Sequence, residues 1–208
     1  MSNKYFLQLE KEFGKYGSWA LWDKDGKIEP FVQIKNSVRF IKDSINPNIV
    51  FMGLNASRDL KKEIDWANYH SDLKPKKGRT WKKASCRRLA EIIQQKEFFP
   101  FRGAYMTDII KTRYDSTSGK LKIFLKTHKS ILNKNKKLLE REMKMLQKIS
   151  GSNKFVIICI GDDSFEITKQ ILGTNENLYK IPHYAMRGID DEIREKIQQG
   201  LIKIIKKL

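Results

Sequence analysis

The sequence predicts an α/β fold: a mostly parallel sheet with helices covering both faces. Three observations predict it. Short apolar runs end in glycine or in polar residues, as buried strands do. Stretches of helical periodicity separate those runs. Hydrophobic residues make up 40% of 208, enough to bury a real core. No repeat, linker or low-complexity segment interrupts the chain, so residues 1–208 read as one domain.

Residues 4–13 mix Phe6, Leu7, Leu9 and Phe13 with charges at helical spacing, and Gly14 and Gly17 end the helix. Trp19 and Trp22 lie around a turn and read as core. Residues 35–45 predict a second helix, stopped by Asn46-Pro47-Asn48. Ile49 to Gly53 is the first buried strand. Residues 58–80 are polar and irregular. Residues 81–95 return to helical spacing through Ala84, Leu89, Ile92 and Ile93. Gly103 to Ile110 is the second strand, followed by a basic loop over 111–135 that enters an amphipathic helix over 134–149. Phe155 to Gly161 is the third strand, and Asp162-Asp163-Ser164 is the expected cap of the next helix. Leu178 to Tyr184 is the fourth strand, and 189–207 the last helix.

Lys and Arg total 42 against 24 Asp and Glu, a formal net charge of +18. A surface of that sign attracts phosphate backbones, because each neutralised phosphate releases a counterion. Lysine-heavy coding, an anionic membrane surface or an acidic protein partner would also accompany such an excess. Cys86 and Cys159 do not form a disulfide framework, and Cys159, inside an apolar run, reads as a buried thiol. The N-terminus lacks a signal-peptide core and no apolar run spans a membrane, so the expectation is a cytoplasmic protein without a membrane partner.

In parallel sheets, ligands sit beyond the carboxyl ends of strands. Three polar sites fall there: Gly53–Ser57, Thr107–Lys111 and His183–Gly188. Asn55 follows a strand, where its amide can orient a water or hold a base edge; an Asn in a turn is the competing reading. His183 can stabilise charge on a departing group, or be structural. Arg187 can clamp a phosphate, or be a solvated charge. Tyr69 and His70 follow Trp66 in a polar loop, placed either to stack on a base or to anchor that loop. Asp108 ends a strand, where a buried carboxylate needs a partner. The phosphate-loop, dinucleotide-binding and nucleophile-elbow signatures do not occur, and acids are not clustered as a metal-dependent nuclease needs.

Taken in order, these segments resemble the uracil-DNA glycosylase superfamily from about residue 46 to 190. Ile49 to Ser57 looks like its first motif, a hydrophobic strand ending in Gly-x-Asn-Pro-Gly, with Ala56 and Ser57 replacing the Pro and the second Gly. Gly103 to Lys111 resembles the strand carrying the base-reading residue, with Asp108 where an Asn usually stands. His183 to Gly188 matches the His-Pro-Ser-Pro segment at His183 alone. The resemblance implies a three-layer α/β/α sandwich around a central, mostly parallel four-stranded sheet. It implies base flipping, hydrolysis of the N-glycosidic bond to leave an abasic site, no metal, and no cofactor. Asn55 and His183 are then the expected catalytic residues. Gly53, Leu54, Tyr69, His70 and Asp108 are expected at the base. Lys82, Lys83, Arg87, Arg88, Lys111 and Arg113 are expected along the phosphates, with Arg187 in the gap left by the base. The expected partner is DNA and the expected state a monomer. The rival expectation is a DNA-binding module that has lost its chemistry.

Asp108 sharpens the question of substrate. Uracil offers an N3–H donor and an O4 acceptor, which an Asn amide complements; an ionised Asp offers acceptors only. It suits the exocyclic amine of cytosine, with the acid or the ring protonated to satisfy N3. A modified cytosine of phage DNA, and with it a role in phage defence, is therefore expected ahead of uracil. Asp108→Asn is predicted to shift excision toward uracil in a competition between uracil- and cytosine-type duplexes; unchanged preference would remove Asp108 from base reading.

Overall fold

In a computed structural model of the protein, residues 3–22, 44–56, 86–115, 117–173 and 177–208 are described. Its organising strand is β2 (Asn46–Asn55), hydrogen-bonded on both sides. Residues Ile49 to Met52 are almost wholly buried, because both faces of the strand lie under helices. On one side runs β3 (Ala104–Ile110), parallel to it, with Gly53 opposite Asp108. On the other side run β4 (Val156–Ile160) and then β5 (Leu178–Ile181), both parallel. A two-residue strand, β1 (Ser18–Trp19), adds antiparallel to β3. The sheet order is β1-β3-β2-β4-β5. The four expected parallel strands are all present, and β1 makes a short fifth.

Helices α1 (Asn3–Phe13), α3 (Ser118–Thr127), α4 (Lys129–Ser150) and α5 (Asp162–Leu172) form one core with the sheet. Val50, Met52, Tyr105, Ile109, Ile157 and Cys159 point into that layer. The alternate positions Ile49, Phe51, Met106, Ile158, Ile160 and Ile181 face the other layer. There α2 (Arg87–Ile93), a 3-10 helix over Lys96–Phe101 and α6 (Asp190–Ile205) cover them. The result is the three-layer α/β/α sandwich. The chain turns one way from β2 to β3, then crosses back over β2 to reach β4. The switch in direction falls between β2 and β4, the place where parallel sheets of this kind bind ligands beyond the strands' carboxyl ends.

Several local expectations change. The stretch 111–135 is not one loop: it holds α3 and the start of α4. The cap of α5 is Gly161, not a side chain; Asp162 and Asp163 occupy the first turn, where they complement the helix dipole. Ser164 instead reaches across and donates to the Met52 carbonyl at 2.6 Å. Trp19, Trp22 and Cys159 are buried as expected, and burial pushes the Cys159 thiol up to about 11. The expected helix over 35–45 lies mostly outside the described residues. Among the described residues, no helix is long and apolar enough to cross a membrane.

One polar cluster fastens β3 to α4. Glu142, fully buried, accepts from Tyr105 Oη at 2.8 Å and Thr107 Oγ1 at 2.9 Å, and its second oxygen lies 2.8 Å from Lys111 Nζ. Neither charged side chain of the pair has exposed surface. Burial and the nearby carboxylate push the Tyr105 phenol well above its ordinary value. Removing one member of a buried pair costs about 3–5 kcal/mol, whereas replacing both by apolar groups can be neutral. Glu142→Leu is thus predicted to cost about 3–5 kcal/mol in urea unfolding, and Glu142→Leu with Lys111→Met to recover much of it. A single variant as stable as the parent would show the pair to be dispensable.

Candidate functional site at the carboxyl edge of the sheet

The carboxyl edge of the sheet gathers the ends of β2, β3, β4 and β5. Strand alternation puts Gly53, Asn55 and Asp108 on the face of the sheet that α2 and α6 cover. Leu54 faces the opposite layer and packs on that core. Asp108 is 5% exposed, and its backbone carbonyl accepts from Lys111 Nζ.

The Asn55 amide has a fixed orientation. Its Nδ2 donates to Ala56 O at 2.8 Å and to Asp115 O at 3.0 Å, which uses both amide hydrogens. Oδ1 is thereby left as the acceptor end of the group. Asp115 N also donates to Ala56 O at 3.1 Å, so the loop after β3 is pinned to the end of β2. That loop is anchored in turn by Asn135 on α4, whose Oδ1 accepts from the backbone of Lys111 at 2.7 Å and Thr112 at 3.2 Å.

His183 is reached from β5 through Pro182. A turn follows, closed by Met186 N donating to His183 O at 3.0 Å. Within it, Ala185 N lies 3.1 Å from His183 Nδ1. A backbone N–H can only donate, so Nδ1 accepts and the ring proton belongs on Nε2. Burial holds the imidazole below its ordinary value of 6.5. The group is a neutral ring with one N–H donor. Gly161, at the end of β4, lets it sit there: the glycine has φ 89°, and a Cβ would lie 3.3 Å from the His183 Cβ.

An ionic cluster holds this turn. Arg88 Nη1 donates to Tyr184 O at 2.8 Å and Met186 O at 2.9 Å, and its Nε to Asp190 at 2.5 Å. Arg87 lies 3.2 Å from Asp190 and 3.1 Å from Glu91. Arg194 bonds Asp190 at 2.8 Å and also reaches Glu91. These guanidinium groups keep the Asp190 carboxyl well below the usual carboxylate range. Beyond the held carbonyls, Arg187 is exposed, flanked by Met186 at 44% and Ile189 at 63% exposure.

Several cations expected on phosphates have other occupations. Lys111 is sealed in the Glu142 pair, and its side chain has no exposed surface. Arg87 and Arg88 are largely buried and spent on Glu91, Asp190 and the His183 turn. Arg113 stacks its guanidinium 3.8 Å from the Phe124 ring centre, beside Asp115 at 3.4 Å, and keeps 37% of its side chain exposed. Tyr69, His70, Lys82 and Lys83 lie outside the described residues. Sequence reading missed Glu142, Asn135, Asp190 and Arg194. The acidic start of α6, Asp190-Asp191-Glu192, was the one signal that cations would gather there.

Among the described residues, no three His, Cys, Asp or Glu side chains gather closely enough to hold a metal ion. The edge can orient a water through the Asn55 acceptor and stabilise a developing anion through the His183 donor. In comparisons with known proteins, the chain matches no family model, no curated protein and no solved structure.

A histidine held below its solution value takes up a proton less readily folded than unfolded, so stability is lost as pH falls below about 6.5. The loss is complete once pH passes the folded value. Nitrogen-15 NMR of the three histidines is predicted to show His183 as the Nε2–H tautomer at pH 7, titrating below 6.5. A midpoint at or above 6.5, or the other tautomer, would overturn the neutral-donor reading.

Proposed function

We propose that the protein is a DNA glycosylase acting at the carboxyl edge of β2, β4 and β5. The observation that carries the reading is that Asn55 and His183 follow the carboxyl ends of β2 and β5, on either side of β4, each with its polar group already oriented. The resemblance of Ile49–Ser57, Gly103–Lys111 and His183–Gly188 to the uracil-DNA glycosylase superfamily supports it, as does the charge of +18.

A base flipped from the duplex is presented at this edge. Asn55 Oδ1 accepts from a water and turns its oxygen lone pair toward the sugar C1′. The C1′–O bond forms as the glycosidic C1′–N bond breaks, and the electron pair of that bond leaves with the base. The Nε2–H of His183 donates to the base oxygen on which that charge settles. The proton given up by the water passes to the departing base or to solvent, leaving an abasic site. A preorganised donor aimed at developing charge is among the stronger catalytic devices, with losses of 10²–10³-fold on removal. Arg187, with exposed Met186 beside it, can fill the space the base leaves. Asp108, acceptor-only when ionised, favours a cytosine-type base, modified as in phage DNA, over uracil; defence against phage is the setting this suits.

A second reading is a DNA-binding module without chemistry. It is favoured by Ala56 and Ser57 in the first motif and by the residues after His183, which keep none of the family's Pro-Ser-Pro. One experiment separates the two. Duplexes with uracil, cytosine, 5-hydroxymethylcytosine or its glucosylated form are incubated with EDTA and scored for abasic sites. The expected result is excision from one duplex, reduced at least 10²-fold in Asn55→Ala while DNA affinity persists. Tight binding with no product from any duplex would favour the module, and strand cuts dependent on divalent metal would favour a nuclease.

A further inference from the structure

A groove of about 430 Å³ runs along β5, the outermost strand on that side of the sheet, between the strand and α6. Lys180, Lys196, Lys203 and Lys207 line it, and no acidic side chain does. All four are exposed. Lys180 lies 2.6 Å from Asp162, itself 82% exposed, so that pair is loose and solvent-screened. Lys196 and Lys203 are seven residues apart on α6 and Lys207 lies in the turn beyond, so the three share one face.

The groove is built on rigid elements. Gly200 brings α6 against β5, since a Cβ there would lie 3.0 Å from Ile181 Cγ2. A side chain at that position would make Ile181 give way by a few tenths of an ångström. One end of it is Pro182, the residue before His183. The groove therefore ends one residue before His183 in the chain. From Lys196 to Lys207 the rise along α6 is about 16 Å. Three lysines spread over that length can neutralise about three phosphates of one strand. Lys111, Arg87 and Arg88 are spent on Glu142, Glu91 and Asp190, so among the described residues this row adds exposed positive charge beyond Arg187 and Arg113.

We propose that the β5–α6 groove carries the phosphate backbone of the strand whose base is presented to Asn55 and His183. The proposal rests on the glycosylase reading for its strand and site. Lysines on and beside an outer strand, here Lys180 with the α6 lysines flanking it, also discourage edge-to-edge association, which is the competing explanation of the row.

The test is the salt dependence of duplex binding by fluorescence anisotropy. Parent protein is compared with Lys196→Gln/Lys203→Gln/Lys207→Gln and with a control, Lys134→Gln/Lys137→Gln/Lys144→Gln, that removes equal charge from the exposed face of α4. Thermal melting checks that all three fold. The groove variant is expected to bind at least tenfold more weakly and to lose about two to three units of log K against log salt, roughly 0.9 per phosphate contact. The control is expected to keep nearly the parent slope. Equal losses in both variants would overturn the groove while leaving DNA binding and excision intact. A groove variant that self-associates yet binds DNA like the parent would assign the lysines to edge protection. Parent protein with no salt-sensitive DNA binding would sink the glycosylase reading and the groove together.

Discussion

The buried pair of Glu142 and Lys111 is the interaction on which the site's geometry depends. A carboxylate this deep is tolerated only with its oxygens occupied, and here Tyr105, Thr107 and Lys111 occupy them. The consequence is positional. Lys111 also bonds the Asp108 carbonyl, and Asn135 on the same helix holds the Lys111 and Thr112 amides. The end of β3 is thus fixed to α4, and the loop that follows is delivered to Asp115. Asp115 holds the Asn55 amide. A side chain proposed to orient water is therefore set by a chain of bonds that starts in the opposite layer of the sandwich.

The other wall is set by a second ionic device, of a different kind. Arg87, Arg88 and Arg194 surround Glu91 and Asp190 in partly exposed positions, where Coulomb energy is screened and each pair alone is worth little. What matters is the geometry. Two carbonyls of the His183 turn accept from a single guanidinium, and that fork defines the turn better than a lysine ammonium could. Lys111, Arg87, Arg88 and Arg194 have been absorbed by the fold itself. On the proposed reading, the net charge of +18 acts on nucleic acid through what is left over, and the lysines of α6 are part of that remainder.

Periodicity made the layers legible. Ile49 to Gly53 and Phe155 to Gly161 are apolar runs too short for helices, so their reading as buried strands needed no partner information. The position of Asn55 followed, since it stands just past the first run; His183 was read inside a fourth strand over Leu178 to Tyr184, which ends at Ile181. The partners of charged residues were not legible. Nothing near Lys111 in sequence marks Glu142, and nothing near Arg88 marks Asp190; those pairs are made by the crossing of elements. A basic residue beside an apolar stripe reads as a phosphate contact and as a structural cation alike. β1 escaped notice because two residues carry no period. Ser164 looked like a cap because capping residues and residues that bond across a sheet share the same short hydroxyl.

The neutral state of His183 bears on what the proposed chemistry asks of it. A cationic imidazole would attract a departing base more strongly, but it would also attract phosphate and would need a counter-charge in a half-buried turn. Burial works against that cation, and the Ala185 amide occupies Nδ1, where a second proton would have to go. What remains is a dipole: one N–H on a ring fixed by Gly161 beneath it and by the Arg88 fork around it. A dipole fixed in advance needs no reorganisation as charge develops, which is where such donors gain most over water. The acceptor at Asn55 is fixed by the same logic, through carbonyls rather than charges. At Asn55 and His183 the edge therefore offers one acceptor and one donor, both neutral. The lysine charge proposed to draw a phosphate backbone is held apart from them, on the outer strand and the last helix.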